Sequence, residues 1–329
     1  LFGVSSSIAI AFIYKDPWAF IIGISLNHLM KSALLLINHH HLFKIGFKYE
    51  FKKISGHIHF STYRMFTSAI NQVTSRIEQI IITYFLGPIY LGIYTLGLQF
   101  IMQPYSKINP IISQISLPIF SKHKSDEELK HKYLLTHKFI NLINIPLLIL
   151  IAFCAQDFVV LFFGSKWLSS VSIIQILCFY VVIRSAGNLN VTLLVAKSNF
   201  KSPFYWNIAM LFITPLFITL FYIISPSLES ICFSLLYLEV AKFFAFYFLY
   251  VKKIVNNALF KICLNILIPL LFSAISIIVL YSALPFLEDM LIVVRLAINI
   301  LIGLSVFMLL LYFFNSNDLK QMLSIIYKK

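Results

Sequence analysis

The chain has 329 residues, of which 60% are hydrophobic and only 12% charged, and its formal net charge is +14. A soluble domain carries about 25% charged residues, so this composition excludes a water-soluble fold of this size. The basic residues are spread over several loops and do not form one patch, which argues against a nucleic-acid-binding protein and favours contact with anionic lipid headgroups.

Apolar segments follow one another along the whole chain. All except the first reach the roughly 20 residues that a helix needs to cross a bilayer, and they are too long for the strands of a membrane barrel. The sequence therefore predicts an all-α, polytopic transmembrane helix bundle of about ten helices. The ten segments cover residues 1–14, 17–37, 57–86, 89–120, 133–163, 169–196, 203–224, 228–251, 261–283 and 290–314.

The basic residues alternate between the connections. Sixteen of the 26 Lys and Arg residues lie in every second connection or in the C-terminal tail, whereas the intervening connections hold only Lys15 and Lys166. Short loops that are rich in Lys and Arg stay in the cytoplasm. We therefore expect a multi-pass protein whose C-terminus is cytoplasmic and whose outer connections are tight turns.

A polar stripe runs along the third segment. Arg64, Asn71 and Glu78 are seven residues apart, so they drift by only about 20° per step around a helix. Arg64 and Glu78 lie about 21 Å apart along the axis and cannot neutralise each other. The stripe fits either a helix–helix contact, satisfied by close packing, or the lining of a water-filled cavity, and we favour the cavity.

The fourth and sixth segments carry similar polar faces. Gln99 and Gln103 share one face of the fourth segment, which also contains three prolines, and Arg184 and Asn188 have i,i+4 spacing in the sixth. Prolines remove backbone donors and bend helices, as in helices that border cavities. We predict a wet, electropositive hollow between the third, fourth and sixth segments, which would attract an anionic, hydroxyl-rich solute.

Three further bases lie inside apolar segments. Lys138, Lys242 and Arg295 are interpreted as residues near helix ends, where long side chains reach the membrane interface. Glu239 and Lys242 have i,i+3 spacing on one helix, so they can also neutralise each other.

No motif in the sequence indicates catalysis or a cofactor. The four cysteines lie singly inside apolar segments, without the spacing of zinc sites. A Walker lysine motif, a GxSxG motif and a HExxH motif are all missing from the sequence. We therefore predict a non-enzymatic protein without a metal or another cofactor.

Four short motifs carry a resemblance to a known family. The runs 80–92 (IIITYFLGPIYLG), 118–122 (PIFSK), 163–167 (FGSKW) and 184–188 (RSAGN) resemble turns and helix ends of polysaccharide flippases. Over residues 1 to about 250 the chain resembles the Wzx-type O-antigen and colanic-acid branch of the multidrug/oligosaccharidyl-lipid/polysaccharide exporter superfamily.

This resemblance implies two six-helix lobes that face a central cavity and flip undecaprenyl-pyrophosphate-linked oligosaccharide repeat units across the bacterial inner membrane. Residues 1–53 would form the last two helices of the first lobe and a basic cytoplasmic linker, and four helices are expected to precede them. Residues 54–251 would form the second lobe, and 252–329 an additional helix pair and a cytoplasmic tail. Expected partners are the lipid-linked oligosaccharide, anionic lipids, and the polymerase and chain-length proteins of the same pathway.

The polar faces and the resemblance together predict a substrate site. The arginines would contact the diphosphate, and the amides would hydrogen-bond sugar. Glu78 matches the acidic position that precedes the "fLG" turn in the family, and it is the predicted ion-coupling group. The predicted substrate-binding residues are Arg64, Asn71, Gln99, Gln103, Arg184 and Asn188.

Two other functions stay open at this point. A drug/cation antiporter of the same superfamily would need an acidic cavity, whereas bases outnumber acids inside these segments. A membrane glycosyltransferase or polymerase would place catalytic groups on a long outer loop, whereas the outer connections here are tight.

Overall fold

The computed structural model describes residues 18–39, 51–122, 125–199, 201–287 and 290–327. Within these ranges the chain forms ten α-helices and no strand, which confirms the predicted all-α class. The chain divides into two compact units, Leu1–His59 and Phe60–Lys329. The predicted first segment, residues 1–14, lies outside the described residues.

The α-helices are numbered here in chain order. Three short 3₁₀-helices, Ser165–Ser170, Val251–Lys253 and Leu284–Phe286, follow α5, α8 and α9. The α-helices are α1 (Trp18–His39), α2 (Phe51–Leu86), α3 (Pro88–Ser121), α4 (Asp126–Phe153), α5 (Ala155–Phe163), α6 (Val171–Ala196), α7 (Lys201–Ile224), α8 (Leu228–Leu249), α9 (Leu259–Ala283) and α10 (Ile292–Tyr327).

Six stretches of the described chain are long and apolar enough to cross a bilayer. They are α4, Ser165–Ala196, α7, Leu228–Lys253, α9 and Ile292–Phe314. Large apolar side chains such as Phe212 and Ile224 stay 68% and 81% exposed on these helices, as expected where lipid is the solvent. The chain is therefore a multi-pass membrane protein.

The helix ends follow local chemistry. Gly87 and Gly164 have φ values of 89° and 87°, which glycine adopts without strain, and both lie in predicted tight connections. Pro88 occupies the first turn of α3, where its missing N–H is not needed. The Ser125 side chain accepts a hydrogen bond of 3.2 Å from the Glu128 backbone N–H and caps α4.

The predicted fifth segment, 133–163, is two helices in the structure. The backbone leaves the helical conformation at Cys154 (φ −84°, ψ 9°), which ends α4 and begins α5. This break separates the short α5 from α4, and Asp157 in the first turn of α5 forms a bidentate ion pair with Arg295 of α10. The pair connects the C-terminal helix pair to the rest of the second unit.

Helix α6 lies at the centre of the second unit and packs on α3, α4 and α8. Leu177, Val181 and Leu189 are fully buried there. Gly97 on α3 permits a close approach, because a Cβ atom at this position would lie 3.2 Å from Ile174 Cγ1 on α6. This contact fixes which face of α3 is turned toward α6.

Candidate functional site

A polar cavity of about 630 Å³ lies within the second unit. It is lined by α2, α3, α6, α7 and α8, so the three helices that the sequence predicts around a hollow do border it, together with two more. A cavity of this size falls in the range of small-molecule sites, which is about 300–1,000 Å³. The polar stripe of α2 faces this cavity from Thr67 to Gln79.

Arg184 is the central charge of the cavity wall. Its Nη1 atom donates a 2.5 Å hydrogen bond to the Tyr180 hydroxyl one turn earlier on α6. Glu239 and Glu78, on two other helices, lie within electrostatic range of its guanidinium group. A cation on α6 thus lies near one carboxylate of α2 and one of α8.

The other charges of the cavity are also paired with protein groups. Glu78 accepts a 2.7 Å hydrogen bond from the hydroxyl of Tyr94, which is fully buried on α3. Lys242 forms an ion pair with Glu239, one turn away on α8. Arg76 donates a 2.9 Å hydrogen bond to the Gln79 side chain. Three cations and two carboxylates therefore line the cavity, which leaves it with a positive balance.

Amides and hydroxyls continue the lining away from these charges. Asn188 donates a 3.1 Å hydrogen bond to Ser113 of α3. Asn190 accepts a 2.5 Å bond from the buried Tyr133 of α4. Both bonds tie α6 to its neighbours and hold the amides in the wall. Trp206 and Asn207 of α7 complete this region.

The structure brings four of the predicted site residues together. Asn71, Glu78, Arg184 and Asn188 all line the cavity. Gln99 and Gln103 are exposed on α3 and are not part of the lining, which on this helix consists of Leu98, Met102 and Tyr105. Arg64 lies in α2, but its side chain is outside the described residues.

Sequence reasoning missed several lining residues. The sequence predicts Lys242 near a helix end, where its side chain would reach the membrane interface, but it lines the cavity. Its predicted pairing with Glu239 is present. The sequence does indicate that Glu239 faces protein or a cavity, since a carboxylate inside an apolar segment is costly and rarely faces lipid. Trp206 carried no such signal, because a single tryptophan in an apolar helix is as easily a packing residue.

The polar side chains of the cavity can exchange their contacts with other protein groups for contacts with a solute. A cation held by a tyrosine hydroxyl and nearby carboxylates can bind an anion instead, and the amides can hydrogen-bond neutral polar groups. The lining offers no concentration of acids of the kind that a cationic solute would need.

Sequence comparisons relate the chain to known membrane and polysaccharide proteins. Residues 1–172 match the family model described as "Polysaccharide biosynthesis protein". The lipopolysaccharide biosynthesis protein WzxC of Escherichia coli (strain K12) is 25% identical over 285 residues, which cover 86% of this chain and 57% of that protein.

Two other relatives match shorter stretches. An uncharacterized membrane protein in the cps region of Klebsiella pneumoniae is 31% identical over 65% of this chain and 44% of its own length. The teichuronic acid biosynthesis protein TuaB of Bacillus subtilis (strain 168) is 30% identical over 50% of this chain and 35% of its own length. The chain thus spans only about a third to three fifths of the length of these relatives.

The family model covers just over half of the chain, and it includes the α2–α3 turn and the Phe163–Trp167 motif on which the resemblance was based. The relationship predicted from these motifs is confirmed, and the chain belongs to the polysaccharide biosynthesis protein family.

Proposed function

We propose that the protein flips undecaprenyl-pyrophosphate-linked oligosaccharide repeat units across the bacterial inner membrane for the synthesis of a surface polysaccharide. The observation that carries this proposal is the membrane-embedded cavity, which presents Arg184 and several amides between five helices. The family membership and the similarity to a lipopolysaccharide and a teichuronic acid biosynthesis protein support it.

In this proposal the cavity binds the polar head of the glycolipid. Arg184, and Arg64 further along α2, contact the diphosphate, while Asn71 and Asn188 hydrogen-bond sugar hydroxyls. Glu78 is the ion-coupling group. Gln99 and Gln103 are also proposed to contact sugar, and their exposed amides lie outside the cavity in this structure.

Transport would proceed by alternating access, without covalent chemistry. An arriving diphosphate competes with Tyr180 and the nearby carboxylates for Arg184, and this exchange weakens the attraction of Arg184 on α6 for Glu78 on α2 and Glu239 on α8. Helix α3 can follow such a change, because Pro104, Pro110 and Pro118 interrupt its backbone hydrogen bonds. The polyprenyl tail remains in lipid.

The proposal includes the position of the chain in the membrane. The C-terminus is cytoplasmic, and the basic connections contact anionic lipid headgroups. Residues 1–53 complete the first lobe of the whole protein and its linker, 54–251 form the second lobe, and 252–329 add a helix pair and a tail. The polymerase and chain-length proteins of the same pathway are proposed as partners.

The substitution Arg184→Ala in the complete natural protein tests the proposal. We expect surface polysaccharide to fall by about tenfold, since a lost charge-assisted hydrogen bond corresponds to about 1.5–3 kcal/mol of binding free energy. Arg184→Lys should retain part of the activity, because it keeps the charge. The measurement is cell-surface polymer at matched protein expression.

The matched control is Lys107→Ala. Lys107 is also a cation inside a helix, but it is exposed on α3 and does not line the cavity. Normal polymer in the Arg184→Ala strain would contradict the proposed function. Drug efflux that needs no glycolipid pathway, and that also depends on Arg184, would assign the cavity to an antiporter instead.

A further inference from the structure

The cavity has two chemically different ends. Glu239 and Phe246 both line it from α8, seven residues or about 10 Å apart along the helix axis. The charged groups gather at the Glu239 end, beside Arg184. At the Phe246 end the wall is built by Trp206 of α7, which packs on Phe246.

Trp206 is held in a fixed orientation. Its ring meets the rings of Phe246 and Tyr250 at 86° and 89°, with centroid distances of 5.1 Å and 6.2 Å. Neither neighbour stacks parallel to the indole. The side chain is half-buried and borders the cavity, so part of the indole surface is accessible from the cavity.

Two polar groups beside this surface have no hydrogen-bond partner within the described part of the chain. Among the described residues, none forms a hydrogen bond with the indole N–H of Trp206 or with the side-chain amide of Asn207. At the charged end, by contrast, Arg184, Glu78 and Glu239 each have a partner. Both groups border the cavity, so a bound ligand can supply their hydrogen-bond partners.

We propose that Trp206 and Asn207 form a carbohydrate subsite, in which the indole face covers the apolar C–H face of one sugar ring and the amide binds its hydroxyls. This inference rests on the proposed function and names which end of the cavity takes the sugar. The diphosphate occupies the Arg184 end. A sugar suits the Trp206 end because it presents an apolar face and a polar rim together.

A hydrocarbon chain would fit this end poorly. It would bury the indole N–H and the Asn207 amide without partners, which costs free energy. Apolar surface suited to acyl chains lies elsewhere on the same helix, where Phe212 and Leu216 are 68% and 62% exposed and do not line the cavity.

The subsite is tested by binding to the complete protein in lipid nanodiscs. One probe is the phosphate-free oligosaccharide that mild acid releases from the lipid-linked pool of the host strain, and the other is sodium pyrophosphate. We expect Trp206→Leu to raise the Kd for the oligosaccharide by about tenfold, and Asn207→Ala to raise it by several fold. The Kd for pyrophosphate should stay unchanged in both variants.

Trp206→Phe keeps an aromatic face, so its Kd for the oligosaccharide should lie between those of the parent protein and of Trp206→Leu. The matched control is Tyr205→Leu, since Tyr205 is the adjacent aromatic residue, is 59% exposed and does not line the cavity. An unchanged Kd for the oligosaccharide in both Trp206→Leu and Asn207→Ala would overturn the subsite. The subsite would also be overturned if either variant weakened pyrophosphate binding as much as oligosaccharide binding. Loss of polyprenyl monophosphate binding in place of oligosaccharide binding would overturn it as well.

The two proposals can fail separately. If Arg184→Ala abolishes export but Trp206→Leu leaves oligosaccharide binding unchanged, the subsite is wrong and the flippase proposal stands. If Trp206→Leu weakens oligosaccharide binding while strains with either substitution export normal polymer, the subsite stands and the flippase proposal is wrong.

Discussion

Glu78 has a buried tyrosine as a hydrogen-bond donor. The Tyr94 hydroxyl donates a 2.7 Å hydrogen bond to its carboxylate, and Tyr94 is fully buried between α3 and its neighbours. We expect Tyr94→Phe to destabilise the protein by about 1–3 kcal/mol, because the substitution keeps the ring but leaves a half-buried carboxylate without its donor. The melting temperature in detergent measures this effect.

Tyr90→Phe is the control for this prediction. Tyr90 lies one turn earlier on the same helix, is 45% exposed and forms no hydrogen bond with the described part of the chain. Equal melting temperatures for the two variants would show that the Tyr94–Glu78 bond contributes nothing. If Glu78 couples transport to an ion, Tyr94→Phe should also reduce export more than its stability loss explains.

At the scale of elements, an ion pair joins the C-terminal helix pair to α5. The Arg295 Nε atom donates a 2.9 Å bond to Asp157 Oδ2, and a second bond makes the pair bidentate. The two side chains are only 21% and 14% exposed. We expect Asp157→Asn to lower stability by about 1.5–3 kcal/mol, because the guanidinium loses the charge-assisted, bidentate hydrogen bonds with Asp157.

A double-mutant cycle with Arg295→Gln measures the coupling directly. The comparison pair is Lys132–Glu128, which has i,i+4 spacing and is 35% and 40% exposed. Glu128→Gln should cost less than about 1 kcal/mol, as exposed pairs do. If the losses of stability caused by Asp157→Asn and Arg295→Gln were additive, the ion pair would contribute no coupling free energy between α5 and α10.

At the scale of the whole molecule, the distribution of Lys and Arg predicts the orientation. Ser225 lies in a connection without basic residues, and Ser121 is the last residue of α3, directly before a connection rich in lysine; both are exposed. In a background that lacks native cysteines, Ser225→Cys should react with an impermeant thiol reagent on intact spheroplasts. Ser121→Cys should react only after the membrane is permeabilised, and the reverse pattern would contradict a cytoplasmic C-terminus.

The packing of the whole bundle determines where the polar faces of α2 and α3 lie. Helices α2 and α3 are not among the six strongly apolar stretches, because their polar faces dilute their hydropathy. Part of this polar surface lines the cavity, including Asn71, Glu78 and Tyr105, whereas Gln99, Gln103 and Lys107 are exposed outside it. The bundle thus gathers many polar groups of α2 around one cavity, while the strongly apolar helices expose large apolar side chains.

Patterns within one helix were predictable from the sequence. Asn71 and Glu78 share a stripe on α2, and Arg184 and Asn188 share a face of α6, because helical periodicity is a local property of the chain. The sequence likewise determined the all-helical membrane class, through composition and segment length, and the family, through short turn and helix-end motifs.

The rotation of each helix and its neighbours were decided only by tertiary packing. Gln99 and Gln103 share a face, but Gly97 packs on α6 and turns Leu98 and Met102 to the cavity instead. Glu239 and Trp206 join the site because α7 and α8 fold back beside residues more than a hundred positions earlier. Which face of an apolar helix meets protein depends on shape complementarity with distant segments, and periodicity within one segment does not encode it.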